Sequence, residues 1–227
     1  MRIKIQFSLI LFFLVNLCFS QVGIQNSVTV SSTSQVYDFS SKKLLSKKEI
    51  ESRMTKPNNL IIPKEFDKLG NPINFYAISG LDTSGSLDFR PYYKHPKTGE
   101  NFPPFIATTI NNDKIYSNKL KGEILILNFQ LILRAPIAKI DRIREVEDFV
   151  NSMDNMQSVI FSISGKDDAI QFMKEYNLTS GIIPNATDFT RKYGVFNFPT
   201  YMIINQEGNL AGIYSKTDEL ILALKEL

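Results

Sequence analysis

Apolar and polar positions alternate in two distinct ways along the second half of the chain. EILILNF (residues 123–129), bounded by Gly122 and Pro136, is a near-continuous apolar run, the pattern of a strand buried on both faces. Ile137, Ile140, Ile143, Val146, Phe149, Val150 and Met153 then recur every three or four residues, with charged side chains between them. That spacing predicts an amphipathic helix, with Pro136 at or near its first position, where a missing N–H costs nothing. SVIFSIS predicts a second buried strand. KDDAIQFMKEYNL predicts a second helix, turning Ala169, Ile170, Phe172, Met173 and Tyr176 inward. TSGIIPNA reads as a loop and TDFTRKYGV as a short helix capped by Thr187. TYMIIN and LAGIYS read as two strands joined by the turn Gln206-Glu207-Gly208-Asn209, and Thr217 or Asp218 caps a last helix. Strands alternating with helices build parallel units, whereas the last two strands, joined by a tight turn, must be antiparallel. The expected class is α/β, with a mixed central sheet flanked by helices in three layers.

Upstream the pattern is weaker. Ser46 followed by Glu49 is a capping-box signature, so a helix is expected from about Lys47 to Thr55, stopped by Pro57. NNLIIP and NPINFYAIS read as two short strands around the turn Lys68-Leu69-Gly70-Asn71. Residues 80–101, with Gly80, Gly85, Pro91, Pro96 and Gly99, read as a loop and linker. FPPFIATTINNDKIYSNKLKGE then gives a strand over 105–110, a turn at Asn111-Asn112-Asp113 and a short strand at Ile115. The expected division is a small α+β region over 21–101 and an α/β domain over 102–227.

The first twenty residues change the picture. Arg2 and Lys4 precede an apolar stretch that ends near Ser20, as in a secretory signal peptide, and the stretch is short for a membrane span. The alternatives are a retained anchor or lipidation at Cys18, the latter disfavoured by Leu17 in place of a small residue. An exported protein is expected, periplasmic or extracellular, with no membrane contact beyond this segment. Cys18 is the one cysteine of the chain, so cleavage after Ser20 leaves a protein with neither thiol nor disulfide. The composition of the whole chain, 43% hydrophobic and 22% charged, is that of an ordinary globular protein. A net charge of +3 with scattered Lys and Arg gives no basis for nucleic-acid binding.

Four segments together resemble the secreted thioredoxin-like proteins of the TlpA and alkyl hydroperoxide reductase/thiol-specific antioxidant (redoxin) group. They are PPFIATTINNDKIYSNKLKGE, similar to that group's opening hairpin; ILILNF, similar to its central strand; Pro136 before the long helix; and YGVFNFPTYMIINQEGNL, with Phe198-Pro199-Thr200 ahead of a strand. The likeness covers about residues 103–227 and implies a thioredoxin-like fold, with a cis-proline at Pro199 facing the active site. It also implies thiol–disulfide exchange or peroxide reduction, which needs a thiolate stabilised at a helix N-terminus. The W-C-x-x-C segment of the group corresponds here to Leu133-Arg134-Ala135-Pro136-Ile137, so the cysteine positions hold Arg134 and Ile137. Arginine stays protonated and is no nucleophile, and its charge near a helix start opposes the dipole. The reading is a redox-inactive module that binds a protein or peptide partner in a groove of Leu133, Arg134, Phe198, Pro199 and Thr200. The rivals are a thiol–disulfide oxidoreductase or peroxidase, and a chaperone-like module using Phe and Tyr of residues 73–105.

The other chemistry-bearing residues are sparse. His95, the single histidine, lies in the loop YYKHPKTG, which leaves no basis for a histidine-dependent triad or a multi-histidine metal site. Asp167 and Asp168 read as dipole-complementing residues at a helix start. Asn177-Leu-Thr and Asn185-Ala-Thr fit the glycosylation pattern. No phosphate loop, nucleophile elbow or dinucleotide fingerprint occurs, and neither a cofactor nor a metal is expected.

Overall fold

The computed structural model describes residues 34–56, 58–81, 90–120 and 122–227. The expected signal segment, Cys18 and the helix stop at Pro57 lie outside the described residues. Those described belong to one compact unit.

The centre is a five-stranded sheet in the order β10-β9-β6-β7-β8. Its strands are β6 (Ile124–Gln130), β7 (Met156–Ser162), β8 (Gly181–Ile183), β9 (Thr200–Ile204) and β10 (Leu210–Tyr214). β6, β7 and β8 are mutually parallel, while β9 runs antiparallel to both β6 and β10. Every residue of β6 is buried, as expected for a central strand covered on both faces. Alternation along it divides the core. Leu125, Leu127 and Phe129 join an aromatic cluster with Phe105, Phe161, Phe189 and Tyr193. Ile124 and Ile126 face the opposite layer, packing with Val146, Val150, Leu220 and Leu224. That layer holds α2 (Ile140–Asn151), α3 (Lys166–Tyr176) and α5 (Thr217–Leu224), while α4 (Thr187–Lys192) lies on the aromatic side.

Several expectations are corrected. The long helix begins at Ile140, one turn later than the apolar spacing suggested, with Lys139 as its N-cap and no side-chain cap. Ile137 is 52% exposed and Met153 39%, so the stripe has two fewer inward residues than the sequence spacing implied. TSGIIPNA is not all loop: Gly181–Ile183 is the edge strand β8, paired with Val159–Phe161. Thr187 is the first residue of α4 rather than its cap, and Ala186 precedes it without a side-chain bond. Lys216, not Thr217 or Asp218, occupies the N-cap of α5; the Thr217 hydroxyl is instead bonded to the Tyr201 hydroxyl at 3.3 Å.

The upstream region forms a second sheet, β1-β3-β2, from β1 (Gln35–Asp38), β2 (Leu60–Phe66) and β3 (Pro72–Ile78). Its helix α1 (Lys47–Met54) carries the full Ser46/Glu49 capping box. Pro63 interrupts β2 beside a register shift, a place where a strand tolerates proline. The β2–β3 turn docks on α4. The Lys192 ammonium donates to the Asp67 carbonyl at 2.8 Å and to the Pro104 carbonyl at 3.0 Å, and the Phe189 ring lies where a side chain on Gly70 would stand. Burial pulls the Lys192 amine down to about 8. The hairpin of β4 (Ile106–Thr108) and β5 (Lys114–Tyr116) follows. The end of the expected linker is partly ordered by pairing: Gly99 N–H donates to the Leu210 carbonyl and Leu210 N–H to that of Glu100.

One buried carboxylate holds the α3–β8 turn. Glu147 of α2 accepts from the backbone N–H groups of Thr179 at 2.8 Å and Ser180 at 2.6 Å. Charge-assisted bonds of this kind are the strong ones, and removing the acceptor strands two donors. Glu147→Ala is expected to cost about 3 kcal/mol, against at most about 0.5 kcal/mol for Glu145→Ala on the exposed side of the same helix. Urea unfolding of the two variants measures the difference.

Candidate functional site

Residues 131–139 connect β6 to α2, and their first turns are pinned from beneath. Leu133 N–H donates to the Ser164 hydroxyl at 2.8 Å, and Ile163 N–H donates to the Leu131 carbonyl at 3.2 Å. Ser164 N–H in turn donates to the Ser162 hydroxyl at 3.1 Å. The same two serines accept through their carbonyls from Asn185 and Ala186 at the start of α4. Two buried serines in SISG thus tie together the connections after β6, β7 and β8. Sequence reasoning passed over them, because a serine at a strand end carries no local signal of what it will hold.

Above this floor the chain is exposed. Arg134, Ala135, Pro136 and Ile137 all face solvent, whereas Leu133 and Ala138 are buried. Ala138 N–H donates to the Arg134 carbonyl at 2.9 Å, closing one turn that ends before the helix starts. Arg134 and Ile137 therefore stand ahead of the first turn of α2, not at its N-terminal amides. The peptide bonds before Pro136 and before Pro199 are both cis.

Register places Pro199 beside this connection. Phe129 of β6 pairs with Thr200 of β9, so one step further along the ladder sets Pro199 level with Gln130. Both the 131–139 connection and the Pro199 turn therefore lie at the same edge of the sheet, past the C-terminal end of β6. Thr200 is buried, and its hydroxyl donates to the Asn197 carbonyl at 2.7 Å. Phe198 packs against the aromatic cluster.

Two clefts flank the edge. Leu133, Arg134 and Ala135 line one of about 290 Å³ with Asp168, Gln171, Phe172, Glu175 and Tyr176 of α3. Thr200 lines another of about 220 Å³ with Arg90, Tyr93, His95, Gly194, Phe196 and Asn197. Of the residues expected to form one groove, Leu133 and Arg134 line the first cleft and Thr200 the second, while Phe198 and Pro199 line neither. Three of the seven residues lining the second, Arg90, Tyr93 and His95, come from the stretch expected to be a linker. His95 Nδ1 lies 3.0 Å from the Tyr193 carbonyl. The Tyr93 ring packs on Phe196 at 5.4 Å, and burial pushes its hydroxyl up to about 12.

The described residues contain no cysteine, and no three of their His, Asp or Glu side chains group to hold a metal. No helix among them is long and apolar enough to cross a membrane. What the two clefts present is hydrogen-bonding and ionic chemistry around two guanidiniums, two carboxylates, an imidazole and four aromatic rings.

No known protein-family pattern matches the chain, and no curated protein is significantly similar to it. Solved structures are similar in fold. A peroxiredoxin-like protein from Aquifex aeolicus is 16% identical, with a TM-score of 0.51 over 58% of this chain and 88% of its own. The thioredoxin domain of a thiol-disulfide oxidoreductase from Bacteroides vulgatus is 14% identical, with a TM-score of 0.50 over 58% of this chain and 97% of its own. With β9 antiparallel beside a parallel β6-β7-β8 and helices on both faces, this chain has the thioredoxin-like fold.

Proposed function

We propose that this protein is an exported thioredoxin-like module that holds a protein or peptide partner at the C-terminal edge of its central sheet, without thiol chemistry. The observation that carries the reading is the β6–α2 connection. Where the resemblance expects two cysteines, the chain exposes Arg134 and Ile137. An arginine neither forms nor resolves a mixed disulfide, but its planar fork binds carboxylates and carbonyls well. Arg134 has no ion-pair partner among the described residues, so its donors are open to a ligand. Pro199, level with the end of β6, offers backbone at the same edge of the sheet.

Two measurements test this. Residues 21–227 are expected to reduce insulin disulfides and consume peroxide no faster than buffer; turnover above background would mean that the chain is an oxidoreductase after all. Partners captured from the native host by the wild type are expected to be lost with Arg134→Glu. Identical partner sets would remove Arg134 from the account.

A further inference from the structure

The cleft of about 220 Å³ at the Pro199 edge is built by two parts of the chain far apart in sequence: Arg90, Tyr93 and His95 from upstream, and Gly194, Phe196, Asn197 and Thr200 before and at the start of β9. The upstream wall is fixed against the other. The backbone of Lys94 and His95 lies so close to Gly194 that a side chain there would meet it at 2.7 to 2.9 Å. The Tyr93 and Phe196 rings are in contact. The Tyr193 carbonyl facing His95 Nδ1 is an acceptor only, so Nδ1 must carry the proton. In the neutral imidazole Nε2 is then an acceptor. The cleft consequently brings together two aromatic rings, an imidazole whose second nitrogen is an acceptor, and the polar side chains of Arg90 and Asn197.

We propose that this cleft is a binding site for a tyrosine side chain of a partner peptide. The ring packs on Tyr93 and Phe196, its hydroxyl donates to His95 Nε2, and its oxygen accepts from the Asn197 side-chain amide. An amphipathic ring with a polar tip fits such a lining better than either neighbouring chemistry. A phenylalanine leaves the His95 acceptor and the Asn197 donor unpaired, and a carboxylate could pair with Arg90 but has no hydrogen to donate to His95 Nε2 and would lie against two aromatic rings. The inference rests on the partner-binding reading above and names the residue that the partner contributes.

The test is a titration of the isotope-labelled chain, residues 21–227, followed by backbone amide shifts. The probes are N-acetyl-tyrosine amide, N-acetyl-phenylalanine amide and N-acetyl-glutamate amide. The tyrosine probe is expected to move the amides of residues 90–95 and 194–200 and to bind about tenfold more tightly than the phenylalanine probe, the effect of one hydrogen bond that is otherwise left unmade. His95→Asn keeps a donor where Nδ1 stands and removes the Nε2 acceptor, so it should abolish that preference while leaving the rest of the amide spectrum in place. Equal binding of the tyrosine and phenylalanine probes, tighter binding of the glutamate probe, shifts confined to other surfaces, or a preference unchanged in His95→Asn would each overturn the proposal. The two readings fail separately. Loss of partner capture in Arg134→Glu with no tyrosine binding sinks only this site. Tyrosine binding with capture indifferent to Arg134 sinks only the role of Arg134.

Discussion

Gly194→Ala is expected to destabilise the protein by about 3 kcal/mol or more, from two additive causes. The residue has φ +67°, a left-handed conformation that costs a non-glycine residue of the order of 1 kcal/mol. In addition, the new methyl would stand 2.7 Å from the Lys94 carbonyl carbon and 2.9 Å from the His95 nitrogen. Those are backbone atoms, held by the Tyr193–His95 bond and by the Tyr93–Phe196 contact, so they cannot rotate aside as a side-chain tip would. Gly208 provides the control. Its φ is +87° but nothing lies within 4 Å of the position its side chain would take, so Gly208→Ala should show the backbone term alone, about 1 kcal/mol. Chemical unfolding separates the two variants. In Gly194→Ala, the amide shifts of residues 93–95 should move as well, because relief requires that segment to lift from the Pro199 edge. Similar costs for both substitutions would mean that the upstream segment does not press on Gly194.

Phe161→Ala should be costlier still, about 4 kcal/mol. The ring is fully buried and lies 5.0 Å from Phe129, 5.2 Å from Phe189 and 5.5 Å from Phe105. Its neighbours come from β6, from α4 and from the segment leading into β4, so no single element can relax to fill the space. The comparison is Ile137→Ala, which removes a large apolar side chain that is 52% exposed and should change stability by no more than about 0.5 kcal/mol. Apolar spacing alone places Ile137 at the start of a core stripe and so assigns it a core-sized cost. Thermal or urea unfolding decides between the two, and a cost for Ile137→Ala near that of Phe161→Ala would mean that the helix starts earlier than Ile140.

The parts of the fold visible in the sequence are those whose causes are local. β6 and β7 show as apolar runs because both faces are covered, and α2 and α3 show as a period near 3.6 because one face is. Ser46 and Glu49 signal a cap because both partners lie within one turn. β8 does not show: three residues carry no period, and Gly181–Ile183 become a strand only because β7 offers an unpaired edge. Pro136 suggests a helix start for a local reason, yet the chain spends residues 134–138 on a separate turn closed onto the Arg134 carbonyl.

The candidate site divides along the same line. The sequence by itself determined that no thiol stands at the β6–α2 connection, that Arg134 and Ile137 occupy it, and that a proline precedes β9, since residue identity needs no coordinates. Only the tertiary structure decided that Arg134 opens toward α3 while Thr200 opens toward residues 90–95, and that Ser162 and Ser164 support the whole edge. Such relations join positions separated by 21 residues (Ser164 and Asn185) to 110 (Arg90 and Thr200). Their energy arises from contacts that exist only once the sheet has brought its strand ends together, and no stretch of sequence short enough to read contains both partners.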